Sequence, residues 1–79
     1  MYFVYLLQSL AAPARKYVGI TDDVNRRLAE HNNGKSIHTN KFKPWELMTY
    51  IAFDDVTKAQ AFEDYLKSHS GRAFSKKHF

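Results

Sequence analysis

The chain has 79 residues, no cysteine, a formal net charge of +4 at pH 7 and a sequence pI near 9.5. This length predicts one domain, residues 1–79, with a small core. The lack of cysteine excludes a disulfide-stapled fold and a cysteine-based zinc site. No apolar run approaches the ~20 residues that span a bilayer, and the apolar N-terminus lacks the features of a signal peptide. We therefore expect a cytoplasmic protein with no membrane partner.

The first part of the chain predicts two strands. Residues 2–8 form a continuous apolar run, which is typical of a strand covered on both faces. Residues 9–15 contain Pro13 and predict a loop, and residues 16–20 predict the second strand. The short connection between the two strands favours an antiparallel hairpin with a longer loop.

A helix is predicted directly after the second strand. Thr21 is the expected N-cap, and Asp22 and Asp23 then lie in the first turn, where negative charge suits the helix dipole. The helix should run to about Asn32, because Gly34 is suited to the C-terminal cap that follows.

The middle of the chain predicts an extended polar loop over residues 35–43 and a third strand over residues 45–53. Pro44 cannot continue a helix and marks the boundary between them. The third strand alternates imperfectly, and we expect its two faces to carry Trp45, Leu47, Thr49, Ile51 and Phe53 on one side and Met48 and Tyr50 on the other.

A second helix is expected from about Lys58, because residues 57–60 match a capping box. Residues 68–71 should end this helix, and residues 72–78 predict a final turn or short helix. The apolar stripe of the second helix consists of Ala59, Phe62 and Leu66. The predicted order is β-β-α-β-α with a possible terminal α. This is an α/β (α+β) fold with a small, three-stranded, mainly antiparallel sheet flanked by helices.

The positive charge is clustered, which favours a nucleic-acid partner, most simply DNA. On charge alone, a solvated surface that only aids solubility explains the pattern equally well. The small basic domain gives no clear signal for a stable dimer, so we expect a monomer or weak dimer. The residues expected to bind nucleic acid are Lys16, Arg26, Lys35, Lys41, Lys43, Lys67 and Arg72.

Polar groups suited to phosphodiester chemistry converge where the second strand meets the first helix. Tyr17 and Gly19 share one strand face, and Arg27 and His31 are neighbours on the helix. The phenol is a candidate for activating water, the guanidinium for holding phosphate, and the imidazole for relaying a proton or contacting phosphate.

Each of these residues also has an ordinary structural explanation. Tyr17 can be a packed strand tyrosine, Arg27 a solvated helix arginine and His31 a neutral residue at a helix end. Helical spacing aligns Arg26 with Glu30, and we expect a surface salt bridge between them.

Glu63 is the candidate metal ligand on the second helix. One carboxylate at the edge of the apolar stripe can bind a Mg²⁺ that keeps several waters and takes other ligands from phosphate. The alternative is a surface pair with Lys67, four residues later. The sequence has no His/Cys spacing for zinc, no Gly-rich phosphate loop and no acidic cluster for two metals.

At these residues the chain resembles the GIY-YIG nuclease superfamily, and specifically its small single-domain bacterial members. The first triplet of the family corresponds to residues 3–5, which keep Tyr5, and the second to residues 17–19. The match covers nearly the whole chain.

The resemblance implies a metal-dependent endonuclease that hydrolyses DNA, structure-directed or low in sequence specificity, with a possible place in DNA repair. It implies that Tyr17 activates or positions water, that Tyr5 supports the site through its hydroxyl, and that Arg27 holds the scissile phosphate with help from His31. Glu63 would anchor Mg²⁺ or Mn²⁺.

Two other functions remain open from the sequence. The first is a catalytically weak or inactive nucleic-acid-binding module, including an RNA-recognition-type sheet, although the element order of that fold differs. The second is a protein-interaction domain that exposes Tyr2, Trp45 and Tyr50.

Overall fold

The computed structural model describes the backbone of residues 1–79 and the side chains of residues 1–68 and 70–79. A three-stranded antiparallel sheet has the strand order β2-β1-β3 and is combined with four helices. This arrangement confirms the predicted fold class. The elements are β1 (Tyr2–Ser9), β2 (Lys16–Thr21), α1 (Val24–Asn32), α2 (Ile37–Asn40), β3 (Trp45–Phe53), α3 (Val56–Lys67) and α4 (His69–His78).

The central strand β1 is covered on both faces, as its apolar run predicts. Its residues 4–7 are all buried. The α1–α2 side covers a cluster built on Tyr5, Leu7 and Trp45. The α3–α4 side covers a cluster built on Val4, Ala59 and Leu66. The sheet therefore separates two cores, because successive side chains of a strand point to opposite faces.

The prediction that every second residue from Trp45 to Phe53 lies on the same face of β3 is wrong. Leu6 pairs with Thr49 but Leu7 pairs with Leu47, so a β-bulge at Met48 shifts the register. One extra residue reverses the alternation of side chains. Trp45 and Leu47 therefore pack on the α1–α2 side, whereas Phe53 packs on the α3–α4 side.

The start of α1 also differs from the prediction. Asp23, not Thr21, is the N-cap, and its carboxylate accepts a hydrogen bond from the backbone amide of Arg26. Thr21 still belongs to β2, and its hydroxyl accepts from the Asp23 amide, which turns the chain into the helix. At the other end, Gly34 has φ of +75° and completes the predicted C-terminal cap.

Three further boundaries were not predicted correctly. The polar loop contains the short helix α2, whose four residues are too few to show a helical period. Helix α3 begins at Val56 rather than near Lys58, because Asp55 is its N-cap. Helix α4 follows α3 almost directly, and Ser68 ends one helix and caps the next.

None of the helices in the described chain combines the length and the hydropathy that a membrane span requires.

Candidate active site

Two tyrosines and a histidine form the centre of the site, between the sheet and α1. Tyr5 comes from β1, Tyr17 from β2 and His31 from the last turn of α1. The Tyr17 and His31 rings meet edge-on with centroids 4.9 Å apart, and the two tyrosine rings are 6.2 Å apart. The structure thus brings together three of the residues that the sequence singles out.

Gly19 allows the Tyr5 ring to lie across the edge strand. The two residues are direct partners in the β1–β2 ladder. A Cβ at position 19 would lie 2.3 Å from the Tyr5 hydroxyl oxygen, a distance that no side chain tolerates. The glycine is therefore needed here for space, and it places the Tyr5 hydroxyl near the β2 edge of the sheet.

His31 is fully buried and is bonded through both ring nitrogens. Its Nε2 lies 3.0 Å from the Tyr5 hydroxyl oxygen, and its Nδ1 lies 2.6 Å from Oγ1 of Thr39. The backbone carbonyl of Thr39 in turn accepts a hydrogen bond from the Trp45 indole. Both nitrogens of His31 are thus used inside the protein, and its predicted role in relaying a proton or contacting phosphate stays a prediction.

Burial also sets the protonation of the pair. Burial raises the pKa of Tyr5 to about 12, and the nearby Arg27 cation only partly opposes this shift. Burial likewise lowers the pKa of His31, and the positive charge of Arg27 lowers it further. At neutral pH, Tyr5 is therefore a phenol and His31 a neutral imidazole, so the hydrogen bond between them carries no net charge.

Arg27 lies at the rim of this cluster and is ion-paired. Its Nη1 donates to Oε1 of Glu30 over 3.0 Å, and both side chains are 31% exposed. Burial tends to lower the pKa of Arg27, but the Glu30 carboxylate and the Tyr5 hydroxyl outweigh it and raise the pKa. The guanidinium thus stays charged and partly open to solvent.

The expected Arg26–Glu30 salt bridge is absent from the described residues. Arg26 instead pairs with Asp22 over 2.6 Å, one turn earlier. Glu30 is held by Arg27, three residues before it on the same helix face. Both pairings are allowed on a helix surface, and sequence spacing alone does not choose between them.

Glu63 approaches from the opposite layer, on α3. It is only 8% exposed, and its Oε1 accepts a 2.7 Å hydrogen bond from Gln60. Its Oε2 lies 3.6 Å from Nζ of Lys67, so the expected pair exists, but on a buried rather than a solvated carboxylate. The charge of Glu63 makes a minor contribution to the raised pKa of Tyr5, after burial and the charges of Arg27 and Tyr17.

The donor set suits one type of metal site. Among the described residues, no three His, Cys, Asp or Glu side chains are grouped to hold an ion. A hard cation such as Mg²⁺ is often bound by one or two carboxylates, with water and substrate phosphate as the other ligands. The buried Glu63 carboxylate supplies oxygens of this kind, with Oε1 bonded to Gln60 and Oε2 ion-paired with Lys67 over 3.6 Å.

The basic residues expected to bind nucleic acid are divided between two regions. Lys16, Lys67 and Arg72 line a common groove next to the site. In contrast, Lys35, Lys41 and Lys43 lie in the segments that flank α2, and Arg26 is occupied by Asp22.

Sequence reasoning missed Thr39 and Asn32 as supporting residues, and its alternative of an exposed Trp45 is wrong because Trp45 is buried. Thr39 and Trp45 hold the His31 side of the cluster, and the Asn32 side chain exchanges two hydrogen bonds with the backbone of Trp45. These contacts link α1, α2 and the start of β3. The one usable signal was the single tryptophan, whose indole N–H needs a partner when it is buried.

Comparisons with known proteins show which family the chain is similar to. The family model for the GIY-YIG catalytic domain matches residues 1–77. The structure-specific endonuclease subunit slx1 of Talaromyces marneffei is 38% identical over 68 residues, which are 78% of this chain and 18% of that protein. The corresponding subunit SLX1 of Debaryomyces hansenii is 38% identical over 73 residues, covering 84% of this chain and 21% of that protein.

A bacterial relative is matched over more of its own length. The UPF0213 protein YsiG of Lactococcus lactis is 36% identical over 67 residues, covering 84% of this chain and 62% of that protein. The chain thus spans about a fifth of the fungal relatives, and the family model covers nearly all of it. The chain therefore belongs to the GIY-YIG nuclease family.

Proposed function

We propose that this nuclease is a metal-dependent endonuclease that hydrolyses DNA phosphodiester bonds and selects DNA by structure rather than by a long sequence. The observation that carries the proposal is the contact between the Tyr5 and Tyr17 rings with the Arg27 cation beside the Tyr5 hydroxyl, and the charge of Glu63 also acts on that hydroxyl. The names of the fungal relatives, which describe structure-specific endonuclease subunits, support the choice of substrate.

Arg27 is proposed to hold the scissile phosphate. Its guanidinium is permanently charged, partly exposed and at the rim of the tyrosine cluster. A phosphate would accept the hydrogen bond that Arg27 Nη1 now donates to Glu30, and a planar fork of N–H groups matches two phosphate oxygens. As water attacks phosphorus, negative charge grows on those oxygens, and Arg27 would stabilise it.

The two tyrosines are proposed to have different roles. Tyr5 is a poor base because its pKa is about 12 and its hydroxyl lies against His31. It is a positioning residue that holds the aromatic cluster in place. Tyr17 is partly exposed and also borders the groove next to the site, so it can meet a water molecule. Tyr17 would orient that water for attack on phosphorus, while the bond from phosphorus to the leaving oxygen breaks.

Glu63 is proposed as the protein ligand for Mg²⁺ or Mn²⁺. When bound, the cation would supply Lewis-acid stabilisation of negative charge on the phosphate and leaving oxygens. Gln60 and Lys67 hold the carboxylate from two sides, which orients it before the metal arrives.

The sharpest test compares Glu63→Gln with the control Asp64→Asn. Glu63 and Asp64 are neighbours whose carboxylates both accept a hydrogen bond from the Gln60 amide, but only Glu63 is buried. We expect Glu63→Gln to lower cleavage of flapped or single-stranded DNA by at least 100-fold, as is typical when one group that stabilises transition-state charge is lost. Asp64→Asn should cleave like the unmodified protein.

The assay should be run with Mg²⁺, Mn²⁺ and EDTA, and Mn²⁺ binding should be followed separately by electron paramagnetic resonance. The proposal requires cleavage in metal only and loss of Mn²⁺ binding in Glu63→Gln. Equal cleavage by both variants would overturn the metal assignment. Binding of DNA without product in any metal would make the chain an inactive nucleic-acid-binding module.

A further inference from the structure

A basic groove runs beside the β2 edge of the sheet, on the side of α3 and α4. Its volume is about 870 Å³. The walls come from the β1–β2 loop, the two strands it joins, the end of α3 and one face of α4. Five of the lining residues are cations, namely Arg15, Lys16, Lys67, Arg72 and Lys76.

The charge in this groove has one sign. Aspartate and glutamate are absent from its described lining, although the chain carries eight acidic residues. Of the five cations, Lys67 has a carboxylate partner in the described residues, and that partner is Glu63 of the candidate site. Like charges held side by side repel one another, so a surface of this kind is stabilised when an anion binds.

A polar group without a partner lies in the wall of the same groove. Ser75 is 8% exposed, and within the described residues its hydroxyl makes no hydrogen bond. Buried hydroxyls normally have a partner, and leaving one unpaired is costly. If the side chain turned towards the groove, an anionic oxygen there would provide an acceptor for it.

The groove leads to the candidate active site. Tyr17 belongs both to the groove lining and to the aromatic cluster with Tyr5 and His31. Lys67 lines the groove and contacts the Glu63 carboxylate. A chain of phosphates lying along the groove would therefore reach the residues proposed to cut it.

The lining of the groove suits the phosphate backbone of a single strand. The whole molecule measures 30 × 26 × 18 Å, and the groove occupies one side of it. A single strand needs only a cationic track for its phosphates and tolerates any base.

We propose that this groove binds the single-stranded arm of a branched DNA and delivers its phosphates to Tyr17 and Glu63. The inference rests on the proposed nuclease function, and it adds which part of the substrate is recognised and by which residues. Recognition would be independent of sequence, since the groove offers mainly charges, with the hydroxyl residues Tyr17 and Ser75, rather than a pattern of donors for base edges.

The test uses Lys76 and its neighbour Lys77, because only Lys76 lines the groove. The double variant Arg72→Ala/Lys76→Ala is compared with the control Lys58→Ala/Lys77→Ala, which removes the same charge from α3 and α4 outside the groove. Binding to a labelled oligo-dT strand is measured in EDTA by fluorescence anisotropy over a range of salt concentrations. Thermal melts check that both variants are folded.

Each phosphate contact with a single strand contributes about 0.7 to the slope of log K against log salt. We expect the groove variant to lose about 1.4 from the slope, which corresponds to about 25-fold weaker binding at 0.1 M salt. The control should bind like the unmodified protein. Equal losses in both variants, or no loss in the groove variant, would overturn the inference.

Cleavage of a second set of substrates separates this inference from the nuclease proposal. Flapped duplexes carry single-stranded arms of different lengths, from none to about ten nucleotides. With the intact groove, cleavage should rise as the arm lengthens, and in Arg72→Ala/Lys76→Ala this rise should disappear. A nuclease indifferent to arm length would refute the groove assignment and leave the nuclease function standing. A protein that binds single-stranded arms through the groove but never cleaves would refute the nuclease function and leave the groove assignment standing.

Discussion

The α3–α4 side of the sheet is held by apolar packing, whereas the α1–α2 side combines apolar packing with hydrogen bonds around a buried histidine. Val4, Ala59 and Leu66 form the first cluster, with several phenylalanines against it. On the other side, Tyr5 and His31 occupy comparable positions, and each uses a polar atom inside the protein. One small sheet thus supports two cores of different chemistry.

This difference separates the source of fold stability from the source of precise side-chain positions. Apolar packing is not directional and tolerates exchanges that conserve volume, so the α3–α4 side can change in detail and still stabilise the fold. A hydrogen-bonded network fixes the orientation of each member and becomes costly when one member is lost. The proposed catalytic tyrosine and arginine lie on the directional side, where their positions are held most closely.

The largest effect should come from the apolar side. Leu66→Ala removes a side chain that is 3% exposed, and we expect the free energy of unfolding to fall by about 3 kcal/mol, as for other buried leucines. Leu66→Met conserves volume and should cost less than about 1.5 kcal/mol. Urea denaturation of both variants measures the difference. Equal costs would mean that this side is not held by packing.

Alkaline pH should lower the free energy of unfolding through Tyr5, which belongs to the α1–α2 side. Burial raises the pKa of Tyr5 to about 12 against about 10 in the unfolded chain, so its contribution is complete below pH 10 and is lost as the pH rises towards 12. Two pKa units correspond to about 3 kcal/mol. Unfolding followed from pH 9 to 12 should show this loss in the unmodified protein and a smaller one in Tyr5→Phe.

Gly19→Ala tests the close approach of Tyr5 to the edge strand. The new Cβ would overlap the Tyr5 hydroxyl, so the ring must move and release His31 from its hydrogen bond. We expect a loss of about 1–3 kcal/mol in unfolding free energy, the cost of an unpaired buried group. Because Tyr5→Phe removes the same hydrogen bond, the two substitutions should be non-additive in a double-mutant cycle. Full additivity would contradict this explanation.

The smallest expected effect is a dependence on mildly acidic pH. Burial and Arg27 lower the pKa of His31, so the unfolded chain binds more protons. The contribution of His31 is therefore complete above about pH 6.5 and falls as the pH decreases below that value. His31→Gln should reduce the slope of unfolding free energy against pH between 7.5 and 5. His38→Gln, at an exposed histidine of α2, is the matched control.

Local signals in the chain determined the order of the elements and most candidate residues. The apolar run of β1, the Gly34 cap of α1 and the stripe of α3 are short-range patterns, and each one is present in the structure. They depend on residues that are near each other in the chain, so periodicity and capping rules predict them. The positions of Tyr5 and Tyr17 in the strands follow from the same patterns, as does Arg27 in the helix.

Only the tertiary structure decided how these residues meet. The bulge at Met48 depends on the register between β1 and β3, and the choice between Glu30 and Asp22 as arginine partners depends on which carboxylate is within reach. The bonding of His31 to Thr39, and the groove between the β1–β2 loop and α4, join segments that are distant in the sequence. Such contacts leave no periodic trace in the chain, because they depend on how separate elements pack in three dimensions.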